Sequence, residues 1–166
     1  MLAQTVTDDS GKETREYPYE NMFAHVVGFA TNGKAGIEST ANFNLLRSHT
    51  FFLEKIVNGL QGEKNVGDNV VTTLNYNLQQ TAYQALGNYD GAVVVLEAST
   101  GKVLAMVSKP DYDPNKIAEN WEKLTAEDSD STVLLNRATQ GLYPPGSVFK
   151  IFTTVEYVHE NPAYDA

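Results

Sequence analysis

A serine and a lysine three residues apart, Ser147 and Lys150, are the residues of this sequence best arranged for chemistry. They follow a rigid segment, Tyr143-Pro144-Pro145-Gly146. Its prolines fix backbone φ and cannot continue a preceding helix, and Gly146 permits a sharp turn where a Cβ would clash. Apolar residues then recur at positions 148, 149, 151, 152, 155 and 158. This spacing predicts a helix with a broad buried face over Ser147–His159.

A serine at the start of a helix can serve as an activated nucleophile. The backbone N–H of Ser147 would have no partner within the helix, so it could donate to a ligand oxyanion, and the helix dipole would favour that charge. Positions i and i+3 share a helix face, so the amine of Lys150 could reach the Ser147 hydroxyl. Partial burial would make that amine a usable general base. The pair is therefore a candidate Ser-Lys catalytic dyad.

The four-residue pattern alone is weak, because Ser-x-x-Lys is expected about once by chance in a chain of this length. The sequence contains a second match, Ser99-Thr100-Gly101-Lys102, which lies between two predicted strands and is interpreted as a turn. Ser147 could likewise be an ordinary helix N-cap, and Lys150 an ordinary solvated lysine. The surrounding segments must decide between these interpretations.

Several elements would position the dyad. Leu74, Leu78, Ala82 and Leu86 have helical spacing, and Gly87 suits the residue after a helix end. The runs Gly91–Glu97 and Val103–Val107 are apolar and β-branched, and predict a buried hairpin. The acidic stretch 111–130 is expected to be a long surface loop with a helical turn near Trp121.

The first part of the chain is predicted to be a separate region. The first sixteen residues predict a polar strand or a loose lead-in, and a helical stretch is expected over Asn42–Leu60, ended by Gly59 and Gly62. The segment 62–68 is rich in residues that favour turns, and it has no apolar residue placed to anchor it in a core. We therefore place a domain boundary near residue 68, which divides the chain into residues 1–68 and 69–166.

Composition excludes several classes of function. With 166 residues and 42% hydrophobic content, the chain can fold one ordinary domain, or a domain and part of another. A net charge of −9 argues against a nucleic-acid partner, and the absence of cysteine excludes disulfides and thiol chemistry. No metal or other cofactor is expected, because His25, His49 and His159 fit no metal-ligand spacing and are interpreted as scattered surface or half-buried histidines. The pairs Asp8-Asp9 and Glu127-Asp128, and Asp130, are interpreted as solvated carboxylates.

The segments around the dyad resemble those of the class B penicillin-binding proteins. The run Gly91–Leu96 with Ser99–Ser108 resembles the first hairpin of their transpeptidase domain, and Tyr112-Asp113-Pro114-Asn115 the exit from it. Asn136-Arg137-Ala138 and Tyr143–Lys150 are similar to the approach to the nucleophile. Upstream, 72–86 resembles the linking helix. Arg15-x-Tyr17-Pro18 and Gly36-Ile37-Glu38 resemble motifs of the non-catalytic N-terminal region.

The resemblance implies an α+β fold: the N-terminal part of a transpeptidase domain with a serine β-lactamase-like fold, incomplete, preceded by part of a pedestal or dimerisation-type region. It implies that Ser147 attacks the penultimate D-alanine carbonyl of a peptidoglycan stem peptide and supplies one oxyanion donor. Lys150 would be the base. β-Lactam antibiotics would acylate the same hydroxyl. The parent protein would be anchored in the bacterial membrane and act at its extracytoplasmic face.

The sequence departs from the family pattern downstream of the dyad. Neither Ser-x-Asn nor Lys-Ser/Thr-Gly, the other two motifs of the family, occurs after residue 150. We therefore expect a truncated chain, inactive alone, that associates with itself or with the missing C-terminal part of the same protein. Two alternatives remain: a β-lactamase or D,D-carboxypeptidase of the same superfamily, and a non-catalytic partner-binding module. The N-terminal region disfavours a β-lactamase.

Overall fold

The structure, a computed structural model, describes residues 1–47, 56, 60, 67–126 and 129–163. Several predicted features lie outside those residues. They are most of the helix expected to reach Leu60, with Gly59 and Gly62, most of the turn over 62–68, His49, and the pair Glu127-Asp128. No helix within the described ranges is both long enough and apolar enough to cross a membrane.

The first sixteen residues form an antiparallel hairpin, which resolves the choice between a strand and a loose lead-in. Strand β1 (Gln4–Thr7) pairs with β2 (Glu13–Glu16). Near the end of β2, the Arg15 Nε donates to the Glu38 Oε1 at 2.7 Å. The Glu38 side chain is only 6% exposed, so this ion pair fixes the hairpin to the buried side of the next segment.

Short helical elements follow the hairpin. They are a 3₁₀ turn (Glu20–Phe23), α1 (Ala24–Val27), α2 (Gly36–Thr40) and α3 (Asn42–Leu46). The loop between α1 and α2 closes on itself at Gly28, whose φ is +84°. A Cβ at this position would lie 1.9 Å from the Ala35 carbonyl oxygen, so only glycine fits. The close approach brings α2 against α1.

Helix α4 (Tyr76–Leu86) packs on a hairpin of β3 (Gly91–Leu96) and β4 (Val103–Lys109). Both the helix and the hairpin were predicted. The Asn75 side chain caps the helix by accepting from the Leu78 N–H at 3.1 Å. The strands are antiparallel and irregular near Leu96.

One face of the hairpin is buried under α4, whereas the other face is covered only in part. Ala82 of α4 packs with Ala105 and Val107 of β4 in a small apolar cluster, whereas Val94 and Leu96 of β3 are 42% and 57% exposed. The prediction of a buried hairpin therefore holds for β4 and for the face under α4. It is wrong for Val94 and Leu96, which the described elements leave exposed on the opposite side of β3.

Gln79 is a polar residue at the centre of this packing, with no exposed surface. Its Nε2 donates to the Met22 carbonyl at 2.7 Å and to the Met106 carbonyl at 2.8 Å. Its Oε1 accepts from the Met106 N–H at 2.9 Å. One side-chain amide thereby satisfies backbone groups of the first 3₁₀ turn and of β4, and connects both to α4.

Replacing Gln79 with leucine is expected to cost about 3 kcal/mol of stability. The change keeps the side-chain volume but leaves three buried backbone groups without partners, each of which costs roughly 1–3 kcal/mol, less relaxation. Chemical denaturation of wild type and variant measures this cost. Gln84→Leu, at an exposed position of the same helix, is the control and should change stability by less than about 0.5 kcal/mol. Equal effects at the two positions would contradict the role given to Gln79.

The stretch expected to be a long acidic loop is largely helical. A 3₁₀ turn (Pro114–Lys116) leads into α5 (Ile117–Thr125). The apolar residues 117, 121 and 124 have helical spacing, and this stripe outweighs the acidic composition on which the loop prediction relied. The Trp121 ring packs edge-on against Phe29, with 6.0 Å between centroids. Residues from both sides of the predicted boundary near 68 thus share one cluster, and that boundary stays a prediction.

The last elements carry the predicted dyad. They are α6 (Arg137–Gln140), a 3₁₀ turn (Gly146–Phe149) and α7 (Lys150–Glu160). The helix was predicted, but its broad buried face is wrong, because every residue of α7 is exposed. Val148, Ile151, Phe152 and Val155 are each more than 60% exposed. The apolar spacing indicates a face suited to being covered, and no described element covers it.

An exposed apolar face on α7 predicts self-association of the isolated 166-residue chain. Sedimentation should find dimers or larger species at micromolar concentration. Introducing charges with Ile151→Glu and Val155→Glu should shift the distribution toward monomer, whereas Glu156→Gln on the same helix should not. A compact monomer at all concentrations would contradict this prediction.

Candidate functional site

The turn that precedes Ser147 is built by backbone conformation. Pro145 has φ −67° and Gly146 has φ +54°, a left-handed conformation in which a Cβ is disfavoured. A Cβ on Gly146 would meet no atom beyond its chain neighbours within 4 Å, so the clash that glycine avoids here is with the local backbone at positive φ. The chain reverses here because of the positive φ, and it enters the helix directly afterwards.

Ser147 is the second residue of the 3₁₀ turn that continues into α7. Its carbonyl accepts from the Lys150 N–H, so the two residues are one helical turn apart. Its own N–H donates to no backbone carbonyl of the described chain, whereas the next N–H, of Val148, donates to Pro145 at 3.2 Å. The Ser147 N–H therefore has no backbone partner among the described residues, as expected near a helix start, and its role as an oxyanion donor stays a prediction.

The side chains of Ser147 and Lys150 are both exposed, and the structure describes no hydrogen bond between them. The expectation that Lys150 is partly buried is wrong for the described chain, for the same reason that α7 is uncovered. The roles of nucleophile and general base accordingly stay predictions.

The second Ser-x-x-Lys match adopts the predicted turn between β3 and β4. The N–H groups of Thr100 and Gly101 both donate to the Glu97 carbonyl, at 3.2 and 2.8 Å. Gly101 has φ +74°, so Ser99 and Lys102 lie in a tight hairpin turn and not on one helix face. This segment offers no helix N-terminus to a ligand.

Hydrogen bonds near the start of α6 attach the segment upstream of Ser147 to the rest of the described fold. The Ser108 Oγ of β4 donates to the Leu135 carbonyl at 3.2 Å and accepts from the Arg137 N–H at 2.9 Å. The Asn136 Nδ2 donates to the His25 carbonyl at 3.1 Å. These bonds connect the approach to the dyad with both β4 and α1.

His25 is buried, which corrects the expectation of a surface or half-buried histidine. It is 7% exposed, its Nε2 lies 3.2 Å from the Pro110 carbonyl, and its ring meets Tyr112 edge-on at 5.2 Å. Burial lowers the pKa of His25 below its usual 6.5, against the opposing effects of the Pro110 carbonyl and the Asp111 carboxylate. His159 lies exposed in the last turn of α7.

The buried His25 predicts a loss of stability in mild acid. Because the folded state disfavours the imidazolium, the unfolded state binds a proton first as pH falls through 6.5, and stability decreases until the lower folded pKa is reached. One proton gives a slope of at most about 1.4 kcal/mol per pH unit. The difference in unfolding free energy between wild type and His25→Gln, measured from pH 8 to 5, should show this slope. His159→Gln is the control, and parallel curves for wild type and His25→Gln would contradict the prediction.

A cleft of about 650 Å³ lies between α2 and the α6 segment, lined by His25, Lys34, Thr40, Asn136 and Gln140 among others. Within the described ranges, no group of three or more histidine and carboxylate side chains could hold a metal ion. Besides the imidazole of His25, the side chains of the cleft wall are amide, hydroxyl and apolar groups, with Lys34 as the one lysine or arginine among the lining residues.

Comparison with known proteins divides the chain into two matched parts. Residues 1–70 match the family described as penicillin binding protein A dimerisation domain, and residues 91–161 match the penicillin binding protein transpeptidase domain. The chain belongs to the class B penicillin-binding proteins. One relative in this family, the peptidoglycan D,D-transpeptidase PbpA of Mycolicibacterium smegmatis, is 40% identical over 93% of the chain and 34% of its own length.

Solved structures of this family share the fold. Penicillin-binding protein A from M. tuberculosis, as its penicillin G acyl-enzyme complex, superposes with a TM-score of 0.81 and 35% identity over 96% of this chain and 40% of that one. Its imipenem acyl-enzyme complex gives 0.78 and 37% over 92% and 38%. These matches confirm the predicted α+β class. The chain spans about a third of the length of the curated penicillin-binding proteins it matches.

Sequence reasoning missed the polar residues that join distant elements of the fold, two of which, Ser108 and Asn136, hold the segment that leads to Ser147. Gln79, Ser108, Asn115 and Asn136 each bond backbone groups distant in sequence. A signal existed for Gln79, which falls on the apolar stripe of its helix between Leu78 and Ala82. For the asparagines no local pattern distinguishes a buried amide from a surface one.

Proposed function

We propose that the full-length protein is a serine D,D-transpeptidase that cross-links peptidoglycan stem peptides, with Ser147 as nucleophile and Lys150 as its general base. The observation that carries this proposal is the position of Ser147. It begins a helix after a proline-glycine turn, inside the segment that matches the transpeptidase family. Of the two Ser-x-x-Lys matches, only this one offers a free N–H at a helix start.

The reaction proceeds through an acyl-serine intermediate. Lys150 takes the Ser147 proton as the hydroxyl oxygen attacks the penultimate D-alanine carbonyl, and the terminal D-alanine leaves with a proton. The amine of a second stem peptide then attacks the ester, forms the cross-link and returns the serine. The Ser147 N–H stabilises the oxyanion of both tetrahedral intermediates, a contribution of about 3–4 kcal/mol for a preorganised donor.

The proposal includes the partners and place of action of the protein. Its substrates are stem peptides, and β-lactams acylate the same serine, as the acyl-enzyme complexes of penicillin-binding protein A suggest by similarity. The uncovered face of α7 is the surface on which the C-terminal part of the same protein would pack. The parent protein is anchored to the bacterial membrane and acts at its extracytoplasmic face. The 166-residue chain alone is inactive, because the second oxyanion donor is not among its residues.

Product analysis tests the reaction class. Full-length protein, a stem-peptide donor and an amine acceptor should yield released D-alanine and a cross-linked product. Hydrolysed donor without cross-links would instead indicate a D,D-carboxypeptidase, and rapid turnover of penicillin a β-lactamase. No acylation at all would favour a non-catalytic partner-binding module. Each of these three outcomes would overturn the proposed transpeptidase.

A further inference from the structure

Asn136 joins two parts of the fold through one side chain. Its Nδ2 donates to the His25 carbonyl of α1 at 3.1 Å, and its Oδ1 accepts from the Ala138 N–H of α6 at 3.0 Å. Its backbone N–H donates to the Gln140 Oε1 at 3.2 Å. A side-chain amide has a donor end and an acceptor end. Here the acceptor shapes the local turn while the donor reaches across to the N-terminal region.

Ser108 holds the backbone on both sides of Asn136. It is 2% exposed, and its hydroxyl bonds the Leu135 carbonyl and the Arg137 N–H. A buried hydroxyl that both donates and accepts has a fixed orientation. Strand β4 and helix α1 therefore both form hydrogen bonds to the segment 135–137.

Among the described residues, no other hydrogen bond attaches the chain between α6 and Ser147 to the elements that precede α6. The Gly141 N–H donates to the Arg137 carbonyl at 3.2 Å, which is local to α6. Residues 142–146 are all described, and none of them makes a hydrogen bond to a described residue outside the stretch from α6 to α7. Within the described chain, the hydrogen bonds of Asn136 and its neighbours are therefore the upstream restraint on the orientation of Ser147.

We propose that Asn136 is a positioning residue for the acylation of Ser147. Through its bond to the His25 carbonyl, the N-terminal region helps to hold the Ser147 hydroxyl in its reactive orientation. The inference rests on the proposed function. Asn136 touches neither substrate nor reacting atoms. A misplacement of about 1 Å at a reacting group can slow a reaction by roughly a hundredfold. Loss of the Asn136 bond to the His25 carbonyl should displace Ser147 only in part, and should therefore slow acylation about tenfold.

The substitution Asn136→Asp separates the two ends of the amide in the full-length protein. Aspartate keeps an oxygen for the Ala138 N–H but has no donor for the His25 carbonyl at neutral pH. Stopped-flow acylation by a fluorescent penicillin should show the rate constant at saturation reduced about tenfold in Asn136→Asp and in Asn136→Ala. The dissociation constant of the non-covalent complex should change by less than about twofold.

Asn115→Ala is the matched control. Asn115 also bonds the N-terminal region, accepting from the Tyr17 N–H at 2.9 Å and donating to the Tyr17 carbonyl at 3.0 Å, but it is not attached to α6. Its loss should lower stability and leave the saturating rate constant unchanged. A wild-type rate in Asn136→Asp would overturn the inference, and so would equal slowing in Asn115→Ala.

A second variant covers the case in which Asn136 variants do not fold. Ser108→Ala should slow the same rate constant, and Ser108→Thr, which keeps the hydroxyl, should restore it; a normal rate in Ser108→Ala would then overturn the inference. Failure of the proposed function looks different. It would appear as covalent penicillin retained in Ser147→Ala. A normal acylation rate in Asn136→Asp, together with no label in Ser147→Ala, would overturn only the role of Asn136.

Discussion

Full-length protein carrying Ser147→Ala is expected to form no covalent adduct with a labelled penicillin. The reason is chemical: ring opening of the β-lactam needs an oxygen nucleophile at the helix start, and alanine supplies none. Gel fluorescence after denaturation measures the adduct, because only a covalent label survives. The loss should be complete at every penicillin concentration that labels the wild type.

The chain supplies its own control for this experiment. Ser99 belongs to the same four-residue pattern but lies in the exposed turn between β3 and β4, so Ser99→Ala should label like wild type. Retained label in Ser147→Ala, or loss of label in a folded Ser99→Ala, would show that the wrong serine has been assigned. Thermal unfolding of each variant excludes loss of label through misfolding.

Replacing Lys150 with glutamine should slow acylation by about 10²–10⁴-fold, the usual contribution of a positioned general base. Glutamine keeps most of the side-chain length but cannot accept the Ser147 proton. Because the lysine acts on the chemical step, the rate constant at saturation should fall while the affinity of the non-covalent complex changes little. Stopped-flow measurement with a fluorescent penicillin separates the two quantities.

Lys102→Gln is the paired control for Lys150→Gln. The Lys102 Nζ lies 4.0 Å from the Glu97 Oε2 in the hairpin turn, and its side chain is 56% exposed. Its loss should therefore leave the acylation rate unchanged. An acylation rate in Lys150→Gln within a factor of about three of wild type would contradict the assignment of Lys150 as the base. Ser147 could then still be the nucleophile, activated by another group.

Features that depend on neighbouring residues were predicted well from the sequence. Helix α4 follows from its apolar spacing and from Gly87, and the β3–β4 turn follows from the residues between two β-branched runs. The distinction between Ser147 and Ser99 was also local, because it depends on whether a helix or a strand follows. Hydrogen bonds within a few residues, such as those from 100 and 101 to Glu97, determine these structures.

Features that depend on distant partners were not predictable. The carbonyl oxygens bound by Gln79 and Asn136 belong to residues 22 and 25, and no pattern in either segment indicates the pairing. Helix α5 was predicted only as a helical turn near Trp121, because the acidic composition of the whole stretch 111–130 favoured a loop over the apolar stripe that packs toward Phe29. The exposure of α7 was missed for the opposite reason: an apolar face indicates that a helix is suited to burial, but not which element covers it.

Mapping the acylated residue tests the central claim most directly. Trypsin cleavage after Arg137 and Lys150 releases residues 138–150, in which Ser147 is the only serine. After treatment of the full-length protein with penicillin, mass spectrometry should find this peptide heavier by one intact penicillin, because ring opening releases no fragment, and fragmentation should locate the added mass at Ser147. An unmodified 138–150 peptide together with an adduct on another serine would contradict the account.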